Sequence, residues 1–415
     1  MKNRDSAMPQ GVDWIPVDTA LQRLRDMLHP LAGTETLETA QAAGRVLAGD
    51  CVARRSNPPQ PNSAVDGYGF AHATLGEGPQ RLPLVQGRAA AGQPWPHPVP
   101  KGQAIRILTG ATLPEGVDTV VLEEDTGSDG KTVSFDTLIR RGSNTREAGE
   151  DVTEGSPALP AGHRLRAPDL ALLSAVGIGQ VTVQRPLRIG VLSTGDEIIA
   201  SPALPALPHQ IWDANRPMLL ALAAGWGYQP VDLGHAADND DAVRQCLDDG
   251  AQRADVILTS GGASAGDEDH ISALLKSHGS LSSWRIALKP GRPLVLAKWN
   301  GTPVFGLPGN PVAALVCTLI FARPALSLMA GSGWKVPQGF TVPAAFSKRK
   351  RPGRREYLRA RLNAEGQAEV FPSEGSGRIS GLSWADGLVE LPDEAAQIEP
   401  GIAVRYIPYA SFGLV

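Results

Sequence analysis

The sequence predicts a multidomain fold of the α/β-plus-β class, and three observations carry that prediction. Between Leu187 and Leu319, short apolar runs alternate with stretches of helical periodicity. That order needs crossover connections and gives a mostly parallel sheet covered on both faces. Residues 70–145, and again those after Trp334, show short apolar runs cut by Gly and Pro, the pattern of small β-modules. The 415-residue chain is also rich in turn-formers, with 46 Gly and 35 Pro against 5% aromatic residues. Its length accommodates about two to four domains.

The formal net charge of −4 gives no overall attraction to nucleic acid or to an anionic membrane, and neither is expected as a partner. Cys51, Cys246 and Cys317 lie far apart with no CxxC pair. Neither a disulfide framework nor a zinc site is expected, and a reducing cytoplasm is the expected location. Residues Met1 to Gln10 are polar and mixed in charge, with no signal-peptide pattern. The longest apolar run, 312–322, stops at Arg323-Pro324, is too short to cross a bilayer, and reads as a packed helix.

Taking the elements in order, Ala20, Leu21, Leu24, Leu28 and Leu31 have helical spacing, with Asp18 or Thr19 as a cap. Residues 36–44 read as a second helical piece. From Asn57 to Phe70, prolines fix an extended approach and glycines follow a single carboxylate, Asp66. An Asp before Gly is by itself more often a turn residue. Strands are expected at 82–85, 104–108, 119–123 and 133–135. Thr109-Gly110-Ala111 ends the second of these, offering a hydroxyl and bare backbone to a ligand. A polar loop at 142–152 leaves this module, and a helix at 167–176 is expected to pack back onto the N-terminal helices. The β-module is then an insertion in a helical segment. Further strands are expected at 187–192, 229–233, 256–258, 284–288, 294–297 and 304–306, and helices at 217–224, 240–249, 268–277 and 311–319.

Ligands of such sheets bind beyond the carboxyl ends of the strands. The loops there are Ser193-Thr194-Gly195-Asp196-Glu197, the segment from Thr259 to Asp269, and Leu307-Pro308-Gly309-Asn310-Pro311. In the middle loop, Ser260-Gly261-Gly262-Ala263-Ser264 allows close backbone approach, and the helix start that follows supplies N–H groups suited to phosphate. Asp267, Glu268 and Asp269 would repel phosphate alone, which suggests phosphate with a divalent metal. The plain alternative is a solvated strand-to-helix turn with Asp267 as cap. Three glycine-bearing loops at one rim form a site more convincingly than one.

Lys289-Pro290-Gly291-Arg292 adds cations after the strand near Trp284. Of the fourteen residues from Lys348 to Arg361, eight are Lys or Arg. That run reads as a solvated β-ribbon, as a nucleic-acid contact, or as a clamp on a phosphorylated small molecule through Arg354, Arg355 and Arg359.

Together these blocks resemble the molybdopterin molybdenumtransferases, the MoeA-type family that includes the C-terminal part of gephyrin. The resemblance runs from about Pro16 to the C-terminus. It rests on Asn62-Ser63-Ala64-Val65-Asp66-Gly67-Tyr68, Leu108-Thr109-Gly110-Ala111, Gly149-Glu150-Asp151, the three rim loops and Lys289-Pro290-Gly291. It implies a discontinuous helical N-terminal domain (1–52 with 148–185) and an inserted β-domain (53–147). It also implies a three-layer α/β/α molybdopterin-binding domain (186–332) and a C-terminal β-barrel (333–415). The implied reaction inserts molybdate into the dithiolene of adenylylated molybdopterin, with Mg²⁺-dependent release of AMP, in a homodimer. A pathway adenylyltransferase is an implied possible contact. A non-catalytic pterin- or molybdate-binding scaffold, or a tungstate-selective paralogue, are the alternatives.

Carried over position by position, the resemblance assigns catalytic roles to Asp66, Thr109, Glu197, Asp238, Asp269 and Lys289, with Glu197, Asp238 and Asp269 as the metal carboxylates. Asp66 and Thr109 are expected at the molybdate end. Substrate contacts are expected from Arg146, Asp151, Ser193, Thr194, Gly195, Ser260, Gly261, Gly262, Ser264, Arg285, Arg292, Pro308, Gly309, Asn310, Pro311, Arg354 and Ser376. Arg285 and Arg292 stand where the family has Lys, exchanging a point charge for a planar fork.

Overall fold

The computed structural model describes residues 14–136, 138–261, 270–278, 280–291, 293–375 and 377–414. The chain divides into two compact units, residues 36–183 and residues 1–35 with 184–415.

The unit 36–183 is built on a six-stranded sheet ordered Thr119–Leu122, Gly67–Phe70, Ala104–Ile107, Gln80–Ala89, Thr132–Phe135, Gly127–Ser128. The expected strands are present, and Gly67–Phe70, read from sequence as part of an extended approach, is a fully buried inner strand. Gly67 is required there, because a Cβ would lie 1.9 Å from the Val121 carbonyl oxygen. A second core gathers Ala42, Leu47, Ala53, Leu165, Leu173, Val176 and Val183 around helix Ala167–Ala175. The helical reading of 36–44 does not hold: strand Thr34–Glu38 is followed by a single 3₁₀ turn, Thr39–Gln41. The alternating exposure of Thr34–Glu38 is the two-residue period of a strand, which outweighs its moderate helix propensities.

In the larger unit the central sheet consists of β1 (Arg188–Thr194), β2 (Gln229–Ala236), β3 (Val256–Ser260), β4 (Ser280–Arg285), β5 (Pro293–Trp299) and β6 (Thr302–Leu307). Its order is β2-β1-β3-β6-β5-β4; the first four strands are parallel, β5 pairs antiparallel with β6, and β4 pairs antiparallel with β5. The strand expected at 284–288 ends instead at Arg285, and Leu288–Lys289 pairs in parallel with Arg355–Glu356 of the C-terminal sheet. Helix Val17–Met27 places Val17, Ala20 and Leu24 on one face, in one core with Leu187, Ile189, Leu219 and Phe321. It therefore packs within this unit.

The run beginning at Pro311 does not stop at Arg323-Pro324. It passes through a π turn at Thr318–Ala322 and continues to Met329. Pro324 is tolerated because it falls in the first turn of the continued helix. Pro311–Met329 is apolar and long enough to cross a membrane, but 89% of its apolar window is buried inside the protein.

The C-terminal residues form an antiparallel sheet of Phe340–Pro343, Ala403–Pro408, Gly387–Leu391, Arg355–Leu362 and Ala368–Val370, with a separate ribbon of Lys348–Lys350 and Ala396–Ile398.

Candidate active site

At the carboxyl rim of the parallel strands, three loops meet over glycines. Gly261 has φ +94°, and a Cβ on it would lie 2.7 Å from Thr194 Oγ1 and 3.1 Å from the Thr194 carbonyl oxygen. A Cβ on Gly309 would approach Gly261 Cα at 3.8 Å. The ends of β1, β3 and β6 thus come together closely, and at Gly261 both the left-handed backbone and the spacing to Thr194 call for glycine. Asn215, the first residue of helix Asn215–Gly225, locks this junction from beneath. Its Nδ2 donates to Ser260 Oγ at 2.7 Å and to Gly309 O at 2.6 Å. It is 5% exposed, and its Oδ1 has no hydrogen-bond partner among the described residues. Sequence reading missed Asn215, since a polar residue at a helix start reads as a cap and nothing more.

The carboxylates of the rim are tied to one another through backbone. Asp238 N–H donates to Asp196 Oδ1 at 3.0 Å, and Asp196 N–H donates to Asp238 Oδ2 at 3.3 Å. The β1 and β2 loops are joined by this reciprocal pair, which makes Asp196 a member of the site that sequence reading had left out. Glu197 is exposed beside them, and its carboxylate folds back to within 2.6 Å of where a Gly195 Cβ would stand. His235 Nε2 lies 2.7 Å from the Gly195 carbonyl oxygen and fixes that turn. Ser193 is only 2% exposed, and its hydroxyl has no hydrogen-bond partner among the described residues. Gly262, Ser264, Asp267, Glu268, Asp269, Arg292 and Ser376 lie outside the described residues.

The helix starts at this rim are less available to an anion than their positions suggest. Asn310 caps its helix by accepting from Val312 N at 3.1 Å, and Pro311 has no N–H. Asn239 likewise accepts from Ala242 N at 2.9 Å. Side-chain caps occupy donors that would otherwise face a ligand.

Lys289-Pro290-Gly291 lies against helix Pro311–Cys317, with a Gly291 Cβ position 2.9 Å from Cys317 Sγ. Lys289 Nζ reaches Glu374 Oε2 at 2.8 Å and Glu356 Oε1 at 3.8 Å. Lys348 Nζ lies 3.1 Å from Glu356 Oε2 and also bonds Glu374. Lys289, Lys348 and Glu374 line a cavity of about 160 Å³ with Phe346, Phe371 and Ser373.

Of the three arginines read as a phosphate clamp, Arg354, Arg355 and Arg359, two are committed to contacts within the fold. Arg355 pairs with Asp18, Asp393 and Glu390. Buried Arg359 donates to the carbonyls of Ser373, Gly375 and Arg378 and stacks over Phe371. Lys350 donates to the carbonyls of Arg351 and Glu394. Arg354 is half-buried, and Arg285 is exposed at the end of β4.

A second cluster belongs to the unit 36–183. The antiparallel register Gly67↔Ile107 sets Asp66, at the start of its strand, against Thr109, just past the end of the neighbouring one. Thr109 donates to Asp66 Oδ1 from both Oγ1 (2.6 Å) and N (2.7 Å). These two bonds hold the Asp66 carboxyl below its ordinary range. Strand Asn62–Ser63 pairs with Thr145–Arg146, bringing the exposed Arg146 beside the same segment. Asp151 accepts from Asn57 Nδ2 at 3.0 Å and so ties down its own loop.

Comparison with known proteins decides the family. Residues 15–177 match the MoeA N-terminal region (domain I and II), residues 190–328 a probable molybdopterin binding domain, and residues 341–409 the MoeA C-terminal region (domain IV). A Molybdopterin molybdenumtransferase of Haemophilus influenzae is 34% identical over 95% of this chain and 98% of its own. The chain belongs to the molybdopterin molybdenumtransferase family. A relative of that name from Bacillus subtilis is 30% identical over 95% of this chain and 94% of its own. The crystal structure of the molybdopterin biosynthesis moeA protein from Pyrococcus horikoshii OT3 superposes with TM-score 0.83 at 27% identity, covering 96% of this chain and all of that one. This likeness extends to both units and to the C-terminal sheet.

Among the described residues, no group of three or more His, Cys, Asp or Glu is gathered closely enough to cage a metal. Asp196, Glu197 and Asp238 nevertheless supply hard oxygen donors at one rim. Mg²⁺ is ordinarily held by one or two carboxylates together with substrate phosphates, so this donor set fits it.

Proposed function

We propose that this protein is a molybdopterin molybdenumtransferase of molybdenum cofactor biosynthesis. In this reading it inserts molybdate into the dithiolene of adenylylated molybdopterin and releases AMP. The observation that carries the reading is the rim itself. Three glycine loops meet in backbone contact beside paired carboxylates, with a lysine cavity against the adjoining helix, in a chain of this family.

The glycine junction of Thr194, Gly261 and Gly309 lets a flat, polar ligand approach the backbone, and Asn215 holds that surface in place. Lys289 binds an oxyanion of the substrate, because an ammonium in a half-enclosed cavity interacts with phosphate more strongly than one in bulk water. Glu197 and Asp238, with Asp269 by resemblance, would hold Mg²⁺. When bound, the ion offsets the repulsion between these carboxylates and the pyrophosphate, and stabilises charge on the departing AMP. Asp66, kept ionised by Thr109, and Arg146 serve the molybdate end. Molybdenum is held by the pterin sulfurs and not by protein thiols. A homodimer and a cytoplasmic location go with this reading, as does direct contact with the pathway adenylyltransferase.

The test is an assay of the purified chain with adenylylated molybdopterin, Mg²⁺ and either molybdate or tungstate, following AMP. Release that depends on molybdate and Mg²⁺ supports the proposal. Ligand bound without AMP release makes the protein a binding scaffold, and release with tungstate alone makes it the tungstate-selective form.

A further inference from the structure

The lysine cavity holds a feature that anion binding by itself does not call for. Lys289 and Lys348 are bridged by two glutamates, and the two differ in kind. The Glu356 side chain is 9% exposed and rises from an inner strand. The Glu374 side chain is 44% exposed and comes from a loop. That loop is pinned by its backbone, since the Arg359 guanidinium takes the carbonyls of Ser373 and Gly375, on either side of Glu374, and of Arg378. The Glu374 side chain can therefore rotate off the lysines while its backbone stays bound. Burial opposes ionisation of Glu374, but its bonds to Lys289 and Lys348 outweigh that and keep it below the usual carboxylate range.

Counting charge, two lysines and two glutamates leave this cluster neutral, whereas rotation of Glu374 leaves it with one positive charge. We infer that Glu374 is an internal anion: it occupies the Lys289–Lys348 pair in the free protein and is exchanged for an oxyanion of the substrate when that binds. It acts as a specificity determinant. A free oxyanion must compete with a carboxylate that is always at hand, while an oxyanion tethered to a larger ligand has the rest of that ligand's contacts to help displace it. The inference rests on Lys289 being an anion contact, and the test below separates the two ideas.

The probes are inorganic pyrophosphate and molybdate, each titrated by calorimetry into the full-length chain without pterin. Glu374→Gln should tighten binding of both by about three- to ten-fold, the range set by the loss of two partly exposed ion pairs. Glu374→Asp keeps the charge but shortens the reach by one methylene, and should also tighten binding, though less. A general field effect of the charge would leave Glu374→Asp like the wild type, which overturns the inference. So does unchanged or weaker binding by Glu374→Gln. Adding Lys289→Ala to Glu374→Gln should abolish the gain. If Glu374→Gln binds more tightly but Lys289→Ala has no effect in either background, the anion assignment of Lys289 fails and the exchange fails with it.

Discussion

Replacing Asn215 with Ala tests whether the glycine junction is held from below. The substitution removes donors to Ser260 Oγ and Gly309 O at a position that is 5% exposed. Each lost hydrogen bond costs about 1 kcal/mol net, and the buried Ser260 hydroxyl is left without its amide donor. Some of this is offset, because the wild-type Asn215 Oδ1 already lies buried with no hydrogen-bond partner among the described residues. A net loss of about 2–3 kcal/mol follows, a fall in melting temperature of about 4–10 °C for the larger unit.

Asn215→Asp sharpens the test. At neutral pH its carboxylate faces the Gly309 carbonyl oxygen, so the ionised form is disfavoured and its folded-state pKa is raised. Stability in this variant is greatest at low pH, where the protonated acid can donate, and is lost as pH rises through that raised pKa. The assays are urea denaturation of both variants across pH, with AMP release measured in parallel. A midpoint unchanged from wild type in Asn215→Ala, or a pH dependence of opposite sign in Asn215→Asp, would refute the reasoning.

Four further outcomes are expected. Gly261→Ala should cost about 1–2 kcal/mol for its left-handed backbone, beyond the clash with Thr194, and should depress turnover; wild-type melting and activity would show that the loops are not in contact. Gly67→Ala should prevent folding of the unit 36–183, because its Cβ meets the Val121 carbonyl; native-like protease resistance of that unit counts against the register described. Thr109→Val removes the hydroxyl bond that does most to lower the Asp66 pKa, so the acid limb of kcat/KM should move to higher pH; a limb that stays in place dissociates Asp66 from the reaction. Finally, Asp66→Ala and Glu197→Ala chains, each inactive, should regain activity on subunit exchange if the proposed dimer takes the two residues from different chains. About half of the dimers would be mixed and roughly a quarter of all sites intact; no recovery after verified exchange means that one chain supplies both.

The sequence by itself determined the class of fold, the parallel strands of the central sheet and the loops at their ends. These are local properties: a β-branched run bounded by glycine forms a strand whatever surrounds it, as Val256–Ser260 does. It also pointed to Asp66, Glu197 and Lys289 through short motifs, which fix residue identity without reference to partners, and to Asp238 through the family resemblance alone. Only the tertiary structure decided what those residues touch. Gly67–Phe70 became an inner strand through neighbours in two other strands, and Asp66 met Thr109 through the register between two of them. Thr34–Glu38 became a strand against the reading of helix. The basic run from Lys348 to Arg361 looked like a surface for anions, yet its acidic partners include Asp18, Glu374 and Glu390, up to 337 positions away in the chain. Asn215 carried no signal at all, since its task is to bridge Ser260 and Gly309, 45 and 94 residues further on. Interactions between distant segments depend on packing geometry, and no window of sequence contains it.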